Sequence, residues 1–266
     1  MLLRSQKCPN CGAYHDPTLE KCPGCHKHNE LYLNREITNK IVFMHPVAQI
    51  GLFLAGFALA GMLIAELIAL PFIRSIEDAV FKQTIGLLIT YIFMFAGLLT
   101  IILTTRSKHF FSKYKRGLDY VYGVGYAITI VIASMILGTI ISLFHDVADN
   151  ANQSTANAIA KSYPIIAFFL LGFLGPICEE LTYRVGLYSF FRRINKYAAF
   201  AITIVVFALI HFDFTSDNIV NEQWNLPSYI LAGSILTLAY EHRGPACSMT
   251  AHVLYNVFAF CVMLIA

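Results

Sequence analysis

Residues 84–105 read TIGLLITYIFMFAGLLTIILTT, without one charged side chain. At 1.5 Å of rise per residue this run covers about 33 Å as a helix, enough to cross the ~30 Å hydrocarbon core of a bilayer. Two further runs, 46–73 and 120–144, are as long, and four shorter ones follow at 163–178, 197–212, 227–240 and 247–266. Only 13% of the 266 residues are charged, against about 25% in an ordinary soluble domain. That excludes a cytosolic globular domain and a disordered chain. The expectation is an all-α, polytopic transmembrane bundle of 7–8 helices. The net charge of +3 is too small to suggest nucleic-acid binding, so the bilayer itself is the first partner expected.

The shorter runs need qualification. Run 163–178 spans a membrane only if its helix continues through Glu179 and Glu180 to about Phe191. Run 227–240 would cover about 21 Å and is expected to stop inside the membrane, with the Gly244-Pro245 loop dipping in from one side. Membrane proteins hold Lys and Arg in their cytoplasmic loops. Arg106, Lys108, Lys113, Lys115, Arg116, Arg192, Arg193, Lys196 and Arg243 lie in one set of connections, and only Arg74, Lys82 and Lys161 in the other. This bias places the N-terminus in the cytoplasm and the C-terminus outside. The N-terminus is polar and Cys-rich, without the apolar core of a signal peptide. The chain is therefore expected in the cell membrane as a multi-pass protein.

Residues 8–25, CPNCGAYHDPTLEKCPGC, carry four of the seven cysteines. Each C-P-x-C turn can aim two thiolates at one ion, so Cys8, Cys11, Cys22 and Cys25 are expected to form a closed structural zinc site resembling a short ribbon. Paired disulfides are disfavoured on the cytosolic side. A segment this small needs a metal to fold. His15, His26 and His28 are expected to face solvent, and Cys178, Cys247 and Cys261 to be buried small hydrophobes. The expected organisation is a ribbon at 1–30, a linker at 31–45 and a bundle at 46–266.

Charge within a span costs roughly 2.5–3.5 kcal/mol on insertion scales, so such residues need a partner or a purpose. Six polar residues fall in the last apolar runs: Glu179, Glu180, Arg184, His211, His252 and Asn256. Glu66 alone resembles them earlier, and reads as interfacial or structural. Glu180 and Arg184 are four apart and can pair; Glu179 projects about 100° away from Glu180. His252 and Asn256 share a face. Glu179 suits a general base for water, with His211 and His252 orienting that water or joining Glu179 around a metal. Asn256 suits an oxyanion donor. Glu180 and Arg184 read as support. The charge-derived topology puts His211 toward the outer half and His252 nearer the cytoplasm, so a shared site needs tilt or a broken helix.

Three motifs carry a resemblance: E-E-x-x-x-R at Glu179–Arg184, F-x-x-x-H at Phe207–His211 and H-x-x-x-N at His252–Asn256. In this order on successive apolar segments, they resemble the CPBP family of intramembrane proteases, which includes Rce1-type CAAX prenyl endopeptidases and bacteriocin-immunity proteins. The resemblance covers about residues 120–266. It implies peptide-bond hydrolysis of a membrane protein or peptide substrate, prenylated or not, with Glu179, His211, His252 and Asn256 as the catalytic set. It leaves open whether a metal takes part. With ten residues after Asn256, no further span is expected there.

Two other classes remain. A non-catalytic scaffold or immunity-type protein would use the ribbon to bind a protein partner. A transporter would use Glu179 and the histidines as a proton relay, although no internal repeat is evident. Neither G-x-S-x-G nor H-E-x-x-H is present.

Overall fold

The computed structural model describes residues 5–29, 32, 34, 37, 40–61, 70–105 and 110–265. Glu66, Arg106, Lys108 and parts of the expected linker lie outside the described residues. A two-stranded antiparallel hairpin, β1 (Gln6–Lys7) with β2 (Tyr14–His15), opens the chain. Then come α1 (Pro46–Gly61), α2 (Ala79–Thr104), α3 (Gly117–Ser142) and α4 (Ala151–Ser162). The composite helix α5 (Pro164–Arg192) follows, with α6 (Lys196–Leu209), α7 (Ile219–Arg243) and α8 (Pro245–Ile265) after it.

The bundle is all-α beyond the hairpin, but the expected count of spans is corrected. Among the described residues, four helices are long and apolar enough to cross a membrane: α2, α3, α5 and α8. Apolarity alone does not make a span, because the helix must also be long enough to cross. The 14 residues of α6 reach only about 21 Å. The described part of α1 is 16 residues long. The sixth run is no stub: α7 has 25 residues, but its first turns carry the polar stretch Asn221–Asn225 and it does not qualify. Four long apolar helices support a multi-pass membrane protein.

The outer and inner helices are distinguishable by burial. In the most apolar windows of α2 and α3 only 17% and 11% of residues are buried, against 50% in α5. The outer faces of α2 and α3 present Phe93, Leu103, Ile132 and Met135, as lipid-facing surfaces require. Helix α5 is the central element, and it does continue through Glu179 and Glu180. It is not uniform. Leu170–Leu174 and Glu180–Tyr188 are π-helical. Pro176 has no N–H for the α-helical ladder, and just before it the ladder widens, with Gly175 N–H donating to Leu170 O. Single-turn π segments recur at functional sites.

Helix α1 packs on the second π segment at the level of backbone. A Cβ at Gly186 would stand 2.8 Å from Phe53 N and 3.0 Å from Gln49 O. A Cβ at Gly56 would meet the Thr182 side chain, which donates to Cys178 O at 2.8 Å. Neither backbone neighbour of Gly186 can rotate away. Gly186→Ala is therefore expected to destabilise the protein by roughly 1–3 kcal/mol through overpacking, read as a lower unfolding temperature in detergent. An unchanged temperature would remove this contact from the account of the fold.

Short polar caps set the helix ends. Asp78, Asn150, Asn195 and Asn218 accept from first-turn amides of α2, α4, α6 and α7, satisfying donors that have no partner within the helix. Gly244 at φ +86° closes α7, and Pro245 starts α8 at once, an arrangement natural to glycine after a helix and proline at the next start. This is a tight inter-helix turn.

The two ends of the bundle differ in charge. Arg192 and Lys196 meet Glu241 at 2.9 and 3.6 Å. Arg243 lies 4.0 Å from Asp119, and Arg193 donates to Gln49 at 2.9 Å. Burial alone would raise the Glu241 carboxyl, but hydrogen bonds and charge from Arg192, with Tyr188 and Lys196, hold it below its usual range. At the other end the 148–151 segment, Asp213 and the start of α7 are joined through Asn221 and the buried Glu222.

Candidate functional site

Glu179 and Glu180 sit at the junction where α5 changes from α to π geometry. Their surroundings differ sharply. Glu180 is 1% exposed; its Oε1 lies 2.9 Å from Arg184 Nη1 and 3.0 Å from His252 Nδ1. Glu179 is partly exposed, and its Oε2 faces His252 Nε2 at 3.7 Å. Tyr91, from α2, lies against Glu179.

The histidine tautomers follow from their acceptors. A carboxylate and a carbonyl can only accept, so a ring nitrogen hydrogen-bonded to one carries the proton. His252 Nδ1 meets Glu180, and His211 Nδ1 meets Phe207 O at 2.8 Å. Each histidine therefore carries a proton on Nδ1 and has Nε2 free of that bond; the Nε2 of His252 faces Glu179 Oε2.

Phe207 ties the parts together. Its ring lies 4.9 Å from that of His211 and 6.0 Å from that of His252, and the Arg184 guanidinium sits over it at 4.3 Å. Arg184 also donates to Gly233 O at 3.4 Å. His211 and His252 thus share Phe207 as a neighbour, although the charge pattern put them at different depths. Helix α6 ends at Leu209, so His211 follows a helix too short to cross. His252 lies in the second turn of α8, about 10 Å along it. Both helices start from the same basic end.

Asn256, one turn beyond His252, donates from Nδ2 to Leu171 O at 3.0 Å. The structure thus gathers Arg184, His211 and His252 around Phe207, with Glu179 and Glu180 against His252, while Asn256 flanks them at the first π segment of α5. Spacing gave Glu180 only its Arg184 partner, and its bond to His252 was not foreseen. Tyr91, Tyr229 and Asn150, which also border the site, escaped notice: tyrosines in apolar runs look interfacial. Asn150 did carry a signal, since Asn150-x-x-Gln153 is a capping-box pattern.

In the N-terminal hairpin, the four thiols of Cys8, Cys11, Cys22 and Cys25 all lie within 4.8 Å of one another and can hold a metal ion. Cys8 and Cys25 are 3.7 Å apart at sulfur, and Cys11 and Cys22 3.6 Å. A tetrahedral site with ~2.3 Å metal–sulfur bonds has edges of about 3.75 Å, whereas a disulfide needs about 2.05 Å. The two C-P-x-C turns are built alike. Gly12 N–H donates to Cys8 O and His26 N–H to Cys22 O, and both Gly12 and His26 have positive φ. The Cys11 amide, pointing at Cys8 Sγ, is the chief cause that brings the Cys8 thiol down to about 6.

Two expectations for smaller groups need correction. His15 is buried, with Nδ1 3.0 Å from Asp16 O, because β2 turns it into the hairpin; His26 and His28 are exposed. Cys261 is exposed on α8, on a face that meets lipid if α8 spans. Among the described residues, the ribbon thiols are the one group of three or more His, Cys, Asp or Glu so closely gathered; Glu179, His211 and His252 do not converge to that extent.

Comparison with known proteins places this geometry. Residues 161–258, which hold all three motifs, match the family described as type II CAAX prenyl endopeptidase Rce1-like. Two proteins of Lactococcus lactis subsp. lactis (strain IL1403) are similar. UPF0177 protein YvdC is 26% identical over 143 residues, 53% of this chain and 52% of that protein. UPF0177 protein YxdF is 30% identical over 130 residues, 48% of this chain and 68% of that protein. The chain thus spans about half the length of YvdC. No solved structure matches. By its likeness to YxdF over two thirds of that protein, the chain belongs to the UPF0177 family, and its C-terminal region is Rce1-like.

Proposed function

We propose that this protein is a membrane-embedded endopeptidase that hydrolyses peptide bonds of membrane-associated protein or peptide substrates. The observation that carries the proposal is the inequality of two adjacent carboxylates. Glu180 is engaged by Arg184 and by His252 Nδ1, whereas Glu179 faces His252 Nε2 across 3.7 Å. One carboxylate orients a histidine; the other is left for chemistry.

In this reading Glu179 accepts a proton from water as the oxygen attacks the scissile carbonyl. One Nε2 lone pair, that of His252 or of His211, accepts the water's remaining hydrogen, and the two rings together aim the attack. Asn256 has a second Nδ2 hydrogen besides the one directed at Leu171, and this donates to the oxyanion. The C–N bond then breaks, and the proton taken by Glu179 passes to the leaving amine. Glu180 and Arg184 position His252. A prenylated C-terminal substrate is the finer form of the proposal, supported by the family description. Comparing peptides with and without a C-terminal prenyl cysteine tests it: cleavage of both alike removes the prenyl requirement.

The arrangement proposed for the whole chain is a zinc-stabilised head at 1–30, a linker at 31–45 and the membrane bundle at 46–266. The basic end faces the cytoplasm in the cell membrane, with the head on that side. Purified protein is expected to carry about one zinc per chain, and Cys8→Ser/Cys11→Ser protein none, with one metal per Cys₄ site. Two ions falling to one would add a metal at Glu179, His211 and His252. Zero in both would reject the zinc head.

One observation favours a second reading. The ribbon exposes Tyr14 at 70% and Leu19 at 43%, a surface suited to a protein partner of a non-catalytic scaffold or immunity-type protein. In that case removal of residues 1–40 abolishes function and Glu179→Gln leaves it intact.

A further inference from the structure

Beyond the six polar residues of the motifs, His211 has a second set of contacts on its far side. Helix α6 ends two residues before it, so the ring leaves the helix on backbone that the regular ladder no longer fixes. Its Nδ1 bond is to Phe207 O, one of the last carbonyls of that helix.

Two residues from other elements meet it there. Tyr229 of α7 stacks flat on the imidazole, with centroids 4.4 Å apart and planes at 19°. The ring is thus held between Tyr229 and Phe207. The Tyr229 hydroxyl receives hydrogen bonds from Asn150 Nδ2 at 3.2 Å and Asn152 Nδ2 at 3.3 Å. Asn150 is 2% exposed. It caps α4 through Gln153 N–H and donates to His211 O at 3.4 Å. The backbone just beyond is tied as well, by Asp213 N–H to Glu222.

We infer that Tyr229 and Asn150 are positioning residues that hold His211 in its Nδ1-protonated form, with the Nε2 lone pair turned to the pocket. The inference deepens the hydrolase reading and rests on it for its functional meaning. Tyr229 fixes the plane of the ring; Asn150 fixes both Tyr229 and the backbone carrying the ring.

The test needs no substrate. Full-length protein labelled with ¹⁵N-histidine is placed in nanodiscs at a pH where imidazole is neutral, and the His211 signals are assigned with His211→Gln. One dominant tautomer is expected in the wild type. In Tyr229→Leu the ratio of Nδ1–H to Nε2–H forms is expected to fall roughly two- to tenfold, the range an aromatic pair supports. Tyr229→Phe keeps the stack and is expected to fall less. Asn150→Asp keeps the cap acceptor on α4 but loses both donors, and a fall is expected there too. If Tyr229→Leu does not fold, Tyr229→Phe and Asn150→Asp decide. An unchanged ratio in the folded variants overturns the inference. A changed ratio in the variants, with a wild-type protein that cleaves nothing, overturns the hydrolase reading and leaves the positioning intact.

Discussion

Glu179→Gln is expected to lower peptide cleavage by roughly 10²–10⁴-fold, the usual contribution of a positioned general base, while the unfolding temperature stays close to that of the wild type. The substitution keeps the shape of the side chain and removes only its capacity to take a proton. Glu179 is partly exposed and forms no tight ion pair; the His252 ring nitrogen nearest it is 3.7 Å away, so the fold loses little. Glu180→Gln should behave differently. Glu180 is fully buried and pairs with Arg184 and His252, so its loss lowers both activity and stability. Equal effects of the two substitutions on both quantities would contradict the division of labour between these carboxylates.

The second large effect concerns Arg184. Its side chain is 0% exposed, its guanidinium is 2.9 Å from Glu180 and covers the Phe207 ring. Removing one partner of a buried pair leaves an uncompensated charge and costs about 3–5 kcal/mol. Arg184→Met is therefore expected to unfold at a markedly lower temperature or fail to accumulate in the membrane. Replacing both members, Glu180→Leu with Arg184→Met, is expected to recover much of that stability, because apolar side chains avoid the desolvation of two charges. The double variant should remain inactive, since nothing then holds His252 Nδ1. Recovery of stability without activity separates fastening from orientation; no recovery would show that the pair contributes more than its charges.

Much of the site was legible because its residues break a strong rule. Six polar side chains in apolar runs stand out whatever the tertiary fold, and one-turn spacing showed which of them share a helix. Spacing says nothing about contacts between helices, so the bond from Glu180 to His252, 72 residues away, came only with the structure. Span counting failed on length: run 197–212 is as apolar as a membrane helix, and Val205 and Leu209 on it are exposed, but its helix has only 14 residues. Helix α4 was missed because its composition is polar, although its cap, Asn150, was readable. One π segment of α5 lies just before Pro176 and the other carries Gly186, where α1 packs closely, and no periodicity in the sequence marks them. The cysteine head was the most legible part, because two C-P-x-C turns leave few ways to fold.

The most direct test of the central claim is to follow water into the product. Wild-type and Glu179→Gln proteins in liposomes would be given membrane-anchored peptides, with and without a C-terminal prenyl cysteine, in H₂¹⁸O. Products would be read by mass spectrometry. Hydrolysis by Glu179-activated water places one ¹⁸O on a newly formed carboxylate in the wild type, with little or none in the variant. The same labelled product from Glu179→Gln, or no new carboxylate from any peptide, would contradict it.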